Sequence, residues 1–210
     1  MAVSTRDRIL TTSRRMFNEH GFGKVTTAML AAKAGIAEGN LWYHFKTKRD
    51  LLDAVSGEFL DQVSQRLAIR PSDSVDVIDE YARFLKAYMR ELREYRFLYR
   101  DQADYGEHGK ELLRRLPELY ELNRQQLKGF FLAMAERGVL EWEADRLDDL
   151  TLNATVIIRY FMEYLREANQ QVGTGSGAVR QAFLQHLTLF EHRLQKDSAT
   201  RLRQAIISAI

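Results

Sequence analysis

The segment Glu38-Gly39-Asn40-Leu41-Trp42-Tyr43-His44-Phe45 holds side chains suited to reading a nucleic acid. On a helix, Leu41 and Phe45 share one face and point inward. Gly39, Asn40, Tyr43 and His44 then point away. They offer a glycine that allows close approach, an amide able to bond an adenine edge at two points, and two ring donors for phosphates or bases. Lys48 falls in the first turn of the next helix, where a cation opposes the helix dipole and a bound phosphate would justify it. The plainer reading makes each an ordinary solvated position, with Asp50 offsetting Lys48.

Such side chains need elements to hold them. In Thr5–His20, the residues Ile9, Leu10, Ser13, Met16 and Phe17 follow amphipathic helical spacing, and Gly21 supplies a left-handed stop. Thr26 can cap a helix over Thr27–Ala34, with Val25 and Leu30 placed as a hydrophobic staple. Gly35 breaks that helix, Ile36 returns to the core, and residues 38–45 form a further short helix. The result is two helices joined by a tight glycine turn. Thr47-Lys48-Arg49-Asp50 matches a capping box ahead of Leu51, Leu52, Val55, Phe59, Leu60, Val63 and Leu67, which predicts a fourth helix to about Ala68. Pro71-Ser72-Asp73-Ser74 is a break. Beyond it the spacing predicts helices over residues 74–94, 96–105, 117–138, 145–170 and from Gly177 to the C-terminus, with a glycine-rich loop at 173–177.

The 210 residues contain no Cys and only 2 Pro. Disulfides, thiolate nucleophiles and Cys-ligated metals are excluded. Residues 150–158, the longest nearly uncharged stretch, fall far short of the roughly 20 that span a bilayer. No apolar export signal opens the chain, so a cytoplasmic location is expected. Residues 1–50 hold nine basic against four acidic side chains, a balance of +5, which leaves −3 for the remainder of a chain whose total is +2. A basic quarter joined to a mildly acidic remainder points to a polyanion-binding module attached to something else. The five histidines are scattered without the i, i+4 spacing of a helical metal site. The G-x-G-x-G run at 173–177 follows no strand, so no dinucleotide site is expected. The expectation is a non-enzyme with no cofactor and no metal.

A family resemblance rests on these residues. Phe17-Asn18-Glu19-His20-Gly21-Phe22, Val25-Thr26-Thr27, Leu30-Ala31, Ala34-Gly35-Ile36 and Gly39-Asn40-Leu41-Trp42-Tyr43-His44-Phe45-Lys46-Thr47-Lys48 with Leu51-Leu52 closely resemble the DNA-binding domain of TetR-family transcriptional regulators. The resemblance implies an all-α, two-domain homodimer. Its N-terminal three-helix helix-turn-helix domain would bind a palindromic operator in double-stranded DNA, and its C-terminal helical bundle would bind a small effector that weakens this binding. It implies a DNA-binding domain at residues 1–50, a connecting helix at 51–70 and a ligand-binding and dimerisation domain at 71–210. Residue by residue, it assigns Thr26 and Thr27 to phosphate contact, Gly39, Asn40, Tyr43 and His44 to the groove, and Trp42 to their flank. Lys46 joins this DNA-binding set and Lys48 takes a backbone phosphate. Ala37 departs from the family's usual Ser or Thr and cannot cap the recognition helix through its side chain.

Tyr95-Arg96-Phe97-Leu98-Tyr99-Arg100-Asp101 and Gly138-Val139-Leu140 look like one subgroup of the family, which brings no ligand identity. The effector is expected to be small and largely apolar, because aromatics abound beyond residue 71. Phe84, Tyr88, Tyr99, Tyr120, Phe130 and Tyr160 are candidate ligand contacts, although aromatics at helical spacing are more often core. Asn123 lies on an apolar stripe, where an amide needs a partner or a ligand. Arg159 could neutralise an anionic ligand or pair with an acid such as Glu163. The stripes carrying Ile157 and Phe161, then Phe183, Leu187, Phe190 and Leu194, are the expected dimer interface. An effector-independent architectural DNA-binding protein is the alternative function.

Overall fold

Side-chain caps set the first helices where the sequence predicts them. In the computed structural model, which describes residues 4–106, 108–168 and 176–209, Ser4 Oγ accepts from Asp7 N to open α1 (Thr5–His20). Thr26 Oγ1 accepts from Met29 N to open α2 (Thr27–Ala34). Gly35, at φ 66 and ψ 40, provides the left-handed turn into α3 (Glu38–His44), a conformation that strains any residue with a Cβ. The Thr47–Asp50 capping box forms reciprocally, at 3.1 and 3.0 Å, and starts α4 (Lys48–Leu67). Gly21 stops α1 differently from expectation. Its φ of 89 is positive, but its ψ of 146 lies outside the left-handed helical region.

Beyond α4 several boundaries move, each for a local reason. α5 (Val77–Glu94) starts later than predicted because Asp76 Oδ1 accepts from Ile78 N and Asp79 N and acts as its cap. The single helix expected over 96–105 is two, α6 (Arg96–Arg100) and α7 (Gln102–Tyr105). They part at Asp101, whose carboxylate is drawn to Phe22 N and to Arg100. α8 (Lys110–Glu136) starts before Pro117 and carries it inside, since the buried row Leu112, Leu116, Leu119 continues across it. A 3₁₀ turn precedes α9 (Leu147–Glu167). The helix expected from Gly177 to the C-terminus is interrupted. α10 (Ser176–Thr188) ends in a 3₁₀ turn, residues 193–195 bond Glu141 N and Val139 O, and α11 (Lys196–Ile207) follows. Gly173, Thr174 and Gly175 of the expected loop, and the expected helix end at residue 170, lie outside the described residues. The described residues are all-α, and none of their helices is long and apolar enough to cross a membrane.

The chain forms two compact units, Met1–Val63 with Glu94–Pro117, and Ser64–Arg93 with Glu118–Ile210. These units do not divide at residue 50 or 70. In the first, Phe17 packs on Phe22 and Phe97 at 5.1 and 5.0 Å, and Phe59 on Tyr95 and Tyr99. Asn18 donates to Glu94 O and accepts from Phe97 N, while Arg100 donates to Phe17 O and Asn18 O. These bonds bring residues 94–117 into the N-terminal unit. In the second, Tyr81, Phe84, Phe130, Phe131 and Phe190 form one aromatic core.

Candidate functional site

Within the first unit, Leu41 and Phe45 are buried and anchor α3 as expected. Gly39, Asn40 and Lys46 are exposed, Trp42 and His44 half-buried, and Tyr43 is 75% exposed with its ring edge-on to His44 at 5.3 Å. Thr26 is exposed at the start of α2, and Thr27 Oγ1 donates to Glu38 Oε1 at 2.9 Å. That bond ties the starts of the two helices together. Ala37 is extended and makes no side-chain cap, so the lateral tie through Glu38 supports the start of α3.

Lys48, expected at a backbone phosphate, is half-buried at the start of α4. Its Nζ donates to Phe22 O at 2.6 Å and stands 4.1 Å from the Phe22 ring centroid. Burial pulls its pKa down, with Asp104 acting in the opposite sense. The ammonium therefore holds the turn between α1 and α2.

The second unit gathers part of the expected ligand set around a cation that the sequence reading passed over. Arg66, at the end of α4, is buried and donates from Nε to Glu91 Oε2 at 2.7 Å, from Nη1 to Gln126 Oε1 at 2.9 Å, and from Nη2 to Asn123 Oδ1 at 2.6 Å. Asn123 thus meets the partner its place on the apolar stripe demanded. Gln126 Nε2 in turn donates to Arg66 O and Ile69 O, at 2.7 Å each, satisfying one carbonyl in the last turn of α4 and one just beyond it. The guanidinium of Arg66 lies 4.3 Å from the ring centroid of Tyr88, and that of Arg159 lies 6.0 Å from Tyr120. Glu163 pairs with Arg166 at 2.7 Å. The signal for the Arg66–Glu91 pair was present. Arg66 continues the row Phe59, Val63, and Glu91 the row Tyr81, Phe84, Tyr88, so each charge stands where an apolar residue is expected.

Other expected contacts fall elsewhere. Tyr99 belongs to the first unit, packed edge-on against Phe59 at 5.5 Å. Phe84 and Phe130 stack on each other at 5.2 Å within the core. Tyr160 points outward. Phe183, Leu187 and Phe190, expected at a dimer interface, are fully buried within this single chain, and Leu194 is buried as well. The break after Thr188 turns Phe190 and Leu194 off the α10 stripe, and Phe183 and Phe190 close around His186. Ile157 and Phe161 are half-buried. The outward apolar row is Leu152, Val156, Tyr160 and Tyr164 on α9, at 56, 46, 54 and 63% exposure. Among the described residues no group of His, Cys, Asp and Glu could hold a metal ion.

Comparison with known proteins gives two family matches. Bacterial regulatory proteins of the tetR family match residues 9–55, and a family of bacterial transcriptional repressors matches residues 58–202. The transcriptional repressor KstR2 of Mycolicibacterium smegmatis is 38% identical over 59 residues, 28% of this chain and 29% of that protein. The class D tetracycline repressor protein of Escherichia coli is 40% identical over 60 residues, 29% of this chain and 28% of that protein. The chain thus spans under a third of the length of these curated relatives. A solved TetR-family transcriptional regulator from Marinobacter aquaeolei VT8 is similar over 99% of both chains, with a TM-score of 0.78 and 26% identity.

Proposed function

The chain belongs to the tetR family of bacterial regulatory proteins, and from that premise we propose that it is a DNA-binding transcriptional repressor. It binds a palindromic operator as a homodimer and is released by a small, largely apolar effector. The observation that carries the reading is the exposed row of Gly39, Asn40 and Tyr43 on a helix anchored by Leu41 and Phe45 and tied to α2 through Glu38 and Thr27. A short helix braced by another is what major-groove reading requires. Asn40 supplies base contact, while Thr26, Tyr43, His44 and Lys46 supply phosphate or base contact, with Thr27 and Trp42 at the flank. Lys48 supports the turn from behind.

The homodimer forms through the α9 row of Leu152, Val156, Tyr160 and Tyr164, with Ile157 and Phe161 at its margin. Exposed apolar side chains at four-residue spacing are costly in a monomer, and a twofold axis covers one such row with another. The effector site lies in the second unit, with Tyr88, Tyr120, Asn123 and Arg159 as its polar members and Phe84 and Phe130 behind them. The effector acts by preferring one of two states of the dimer, and its differential affinity bounds its effect.

Selection of bound duplexes from a random library, with the purified full chain at physiological salt, tests this function. An enriched palindrome is expected. Unselective, salt-sensitive retention would favour the architectural reading, and no retention would overturn DNA binding altogether.

A further inference from the structure

Arg6 lies in the first turn of α1, behind the Ser4 cap, where a cation opposes the helix dipole. The side chain is exposed, and its guanidinium sits over the ring of Phe45, 5.4 Å from the centroid. Phe45 is the buried residue that closes α3. A cation from the first helix is therefore held against the end of α3, beside the residue that precedes the exposed Lys46. Among the described residues no acid or carbonyl meets the Arg6 guanidinium. Arg14, Arg49 and Arg100 of the same unit each face an acid: Arg14 meets Glu58 and Glu94, Arg49 meets Asp53, and Arg100 meets Asp101.

The face of the Arg6 guanidinium is occupied by the Phe45 ring, which leaves its N–H edges to find an acceptor. Oriented donors of this kind suit an oxyanion, and a backbone phosphate takes two of them at once. α3 has 7 residues. That is about 10 Å of helix, and the major groove is about 12 Å wide. A helix of that length in that groove has each end within a side chain's reach of a phosphate wall, and Arg6 stands at one such end. Arg8 and Arg15 are also exposed on α1, but helical spacing turns them about 200° and 180° away from Arg6.

We propose that Arg6 is a further DNA-contacting residue, whose guanidinium, braced on Phe45, takes a backbone phosphate at the end of α3. The inference rests on the reading that α3 enters the major groove, and it adds a residue from α1 to that interface. The Phe45 ring restricts a long side chain before DNA arrives, so less freedom is lost on binding. A phosphate contact of this kind positions the N-terminal unit and reads no base.

The test uses the full chain with a labelled duplex from the library selection and a random-sequence duplex beside it, and follows affinity against salt. Arg6→Met keeps an apolar stem over Phe45 and removes the charge. It reduces the slope of log affinity against log salt by about one unit per protomer on both duplexes and weakens binding about tenfold at physiological salt. Repeating the selection with this variant enriches the same sequence as the parent. Arg15→Met removes the same charge from the far side of α1 and leaves the slope unchanged. Arg6→Gln carries the comparison if Arg6→Met lowers the thermal midpoint. The proposal is overturned if the Arg6 variants keep the parent's slope, even at reduced affinity, because a mere brace for α3 would behave that way. It is overturned equally if Arg15→Met reduces the slope as much, which makes the effect one of net charge, or if Arg6→Met changes the selected bases. A parent that retains neither duplex overturns the DNA-binding reading and this inference together. A parent that binds, with variants that match its slope, keeps that reading and removes Arg6 alone.

Discussion

Arg66 and Glu91 form a two-point ion pair inside the second unit, Nε to Oε2 at 2.7 Å and Nη2 to Oε1 at 3.4 Å, with both side chains shielded from water. Removing one partner strands a buried charge, which costs about 3–5 kcal/mol, whereas removing both leaves no charge behind. Arg66→Met and Glu91→Gln should each lower stability by that order, and the double variant should lose less than their sum. Urea unfolding of the four proteins checks this, and strict additivity would show that the pair is not coupled.

Lys48 and Lys46 lie two residues apart and should behave differently. Lys48 Nζ is bonded to Phe22 O, so Lys48→Met should lower the thermal midpoint and leave the salt dependence of DNA binding unchanged. Lys46→Ala should leave stability alone and reduce the slope of log affinity against log salt by about one unit. Equal slopes for parent and Lys46→Ala would remove Lys46 from the interface.

Asn40 is exposed on α3 with no apolar duty. Asn40→Ala should relax base preference at one symmetric pair of operator positions, at a cost of about 1–3 kcal/mol, and leave binding elsewhere in the site unaltered. Repeating the duplex selection with the variant reads this directly, and an unchanged sequence logo would count against base reading by Asn40.

Val156 and Tyr160 belong to the outward row on α9. Val156→Asp and Tyr160→Glu add charge to a surface already wet in the monomer, so the monomer should stay folded while the dimer is lost. Sedimentation velocity distinguishes the two, and a dimer that survives both changes would place the interface elsewhere.

His186 is enclosed by Tyr81, Phe131, Phe183 and Phe190, and burial lowers its pKa to about 3. Its Nε2 pairs with Tyr81 Oη at 2.5 Å. Because the folded value lies below the ordinary 6.5, the unfolded chain takes up a proton first as pH falls, and stability is lost from about pH 6.5 down towards pH 3. The full loss is on the order of 5 kcal/mol. Measured from pH 7 to 5, the parent should lose more stability than His186→Phe, and parallel curves would refute the assignment.

The first three helices and the start of the fourth were legible because their boundaries are written in side chains that act locally: Thr26, Gly35 and the Thr47–Asp50 box each cap or turn the chain within four residues. Local chemistry could not place the later breaks. Val179, Phe183, Leu187, Phe190 and Leu194 keep helical spacing straight across the end of α10, and what interrupts them is the pairing of residues 193–195 with Val139 and Glu141, far away in sequence. Pro117 read as a helix start because proline favours first turns, yet it stands inside α8, beyond the first turn, where the buried row Leu112, Leu116 and Leu119 carries the helix across a position that gives up one backbone bond. The exposed face of α3 was readable from the inward pair Leu41 and Phe45. The buried cluster was not, because Arg66 and Glu91 come from separate helices and each alone looks like a surface charge.

The bonds that join residues 94–117 to the N-terminal unit bear on how this protein could be rebuilt. A chimera made by grafting residues 1–63 onto another regulator would carry Phe17 without Phe97, Arg14 without the Tyr95 hydroxyl, and Phe22 N without Asp101. The portable recognition cassette is therefore two stretches of chain, and an exchange of operator specificity between relatives succeeds when both are transplanted together.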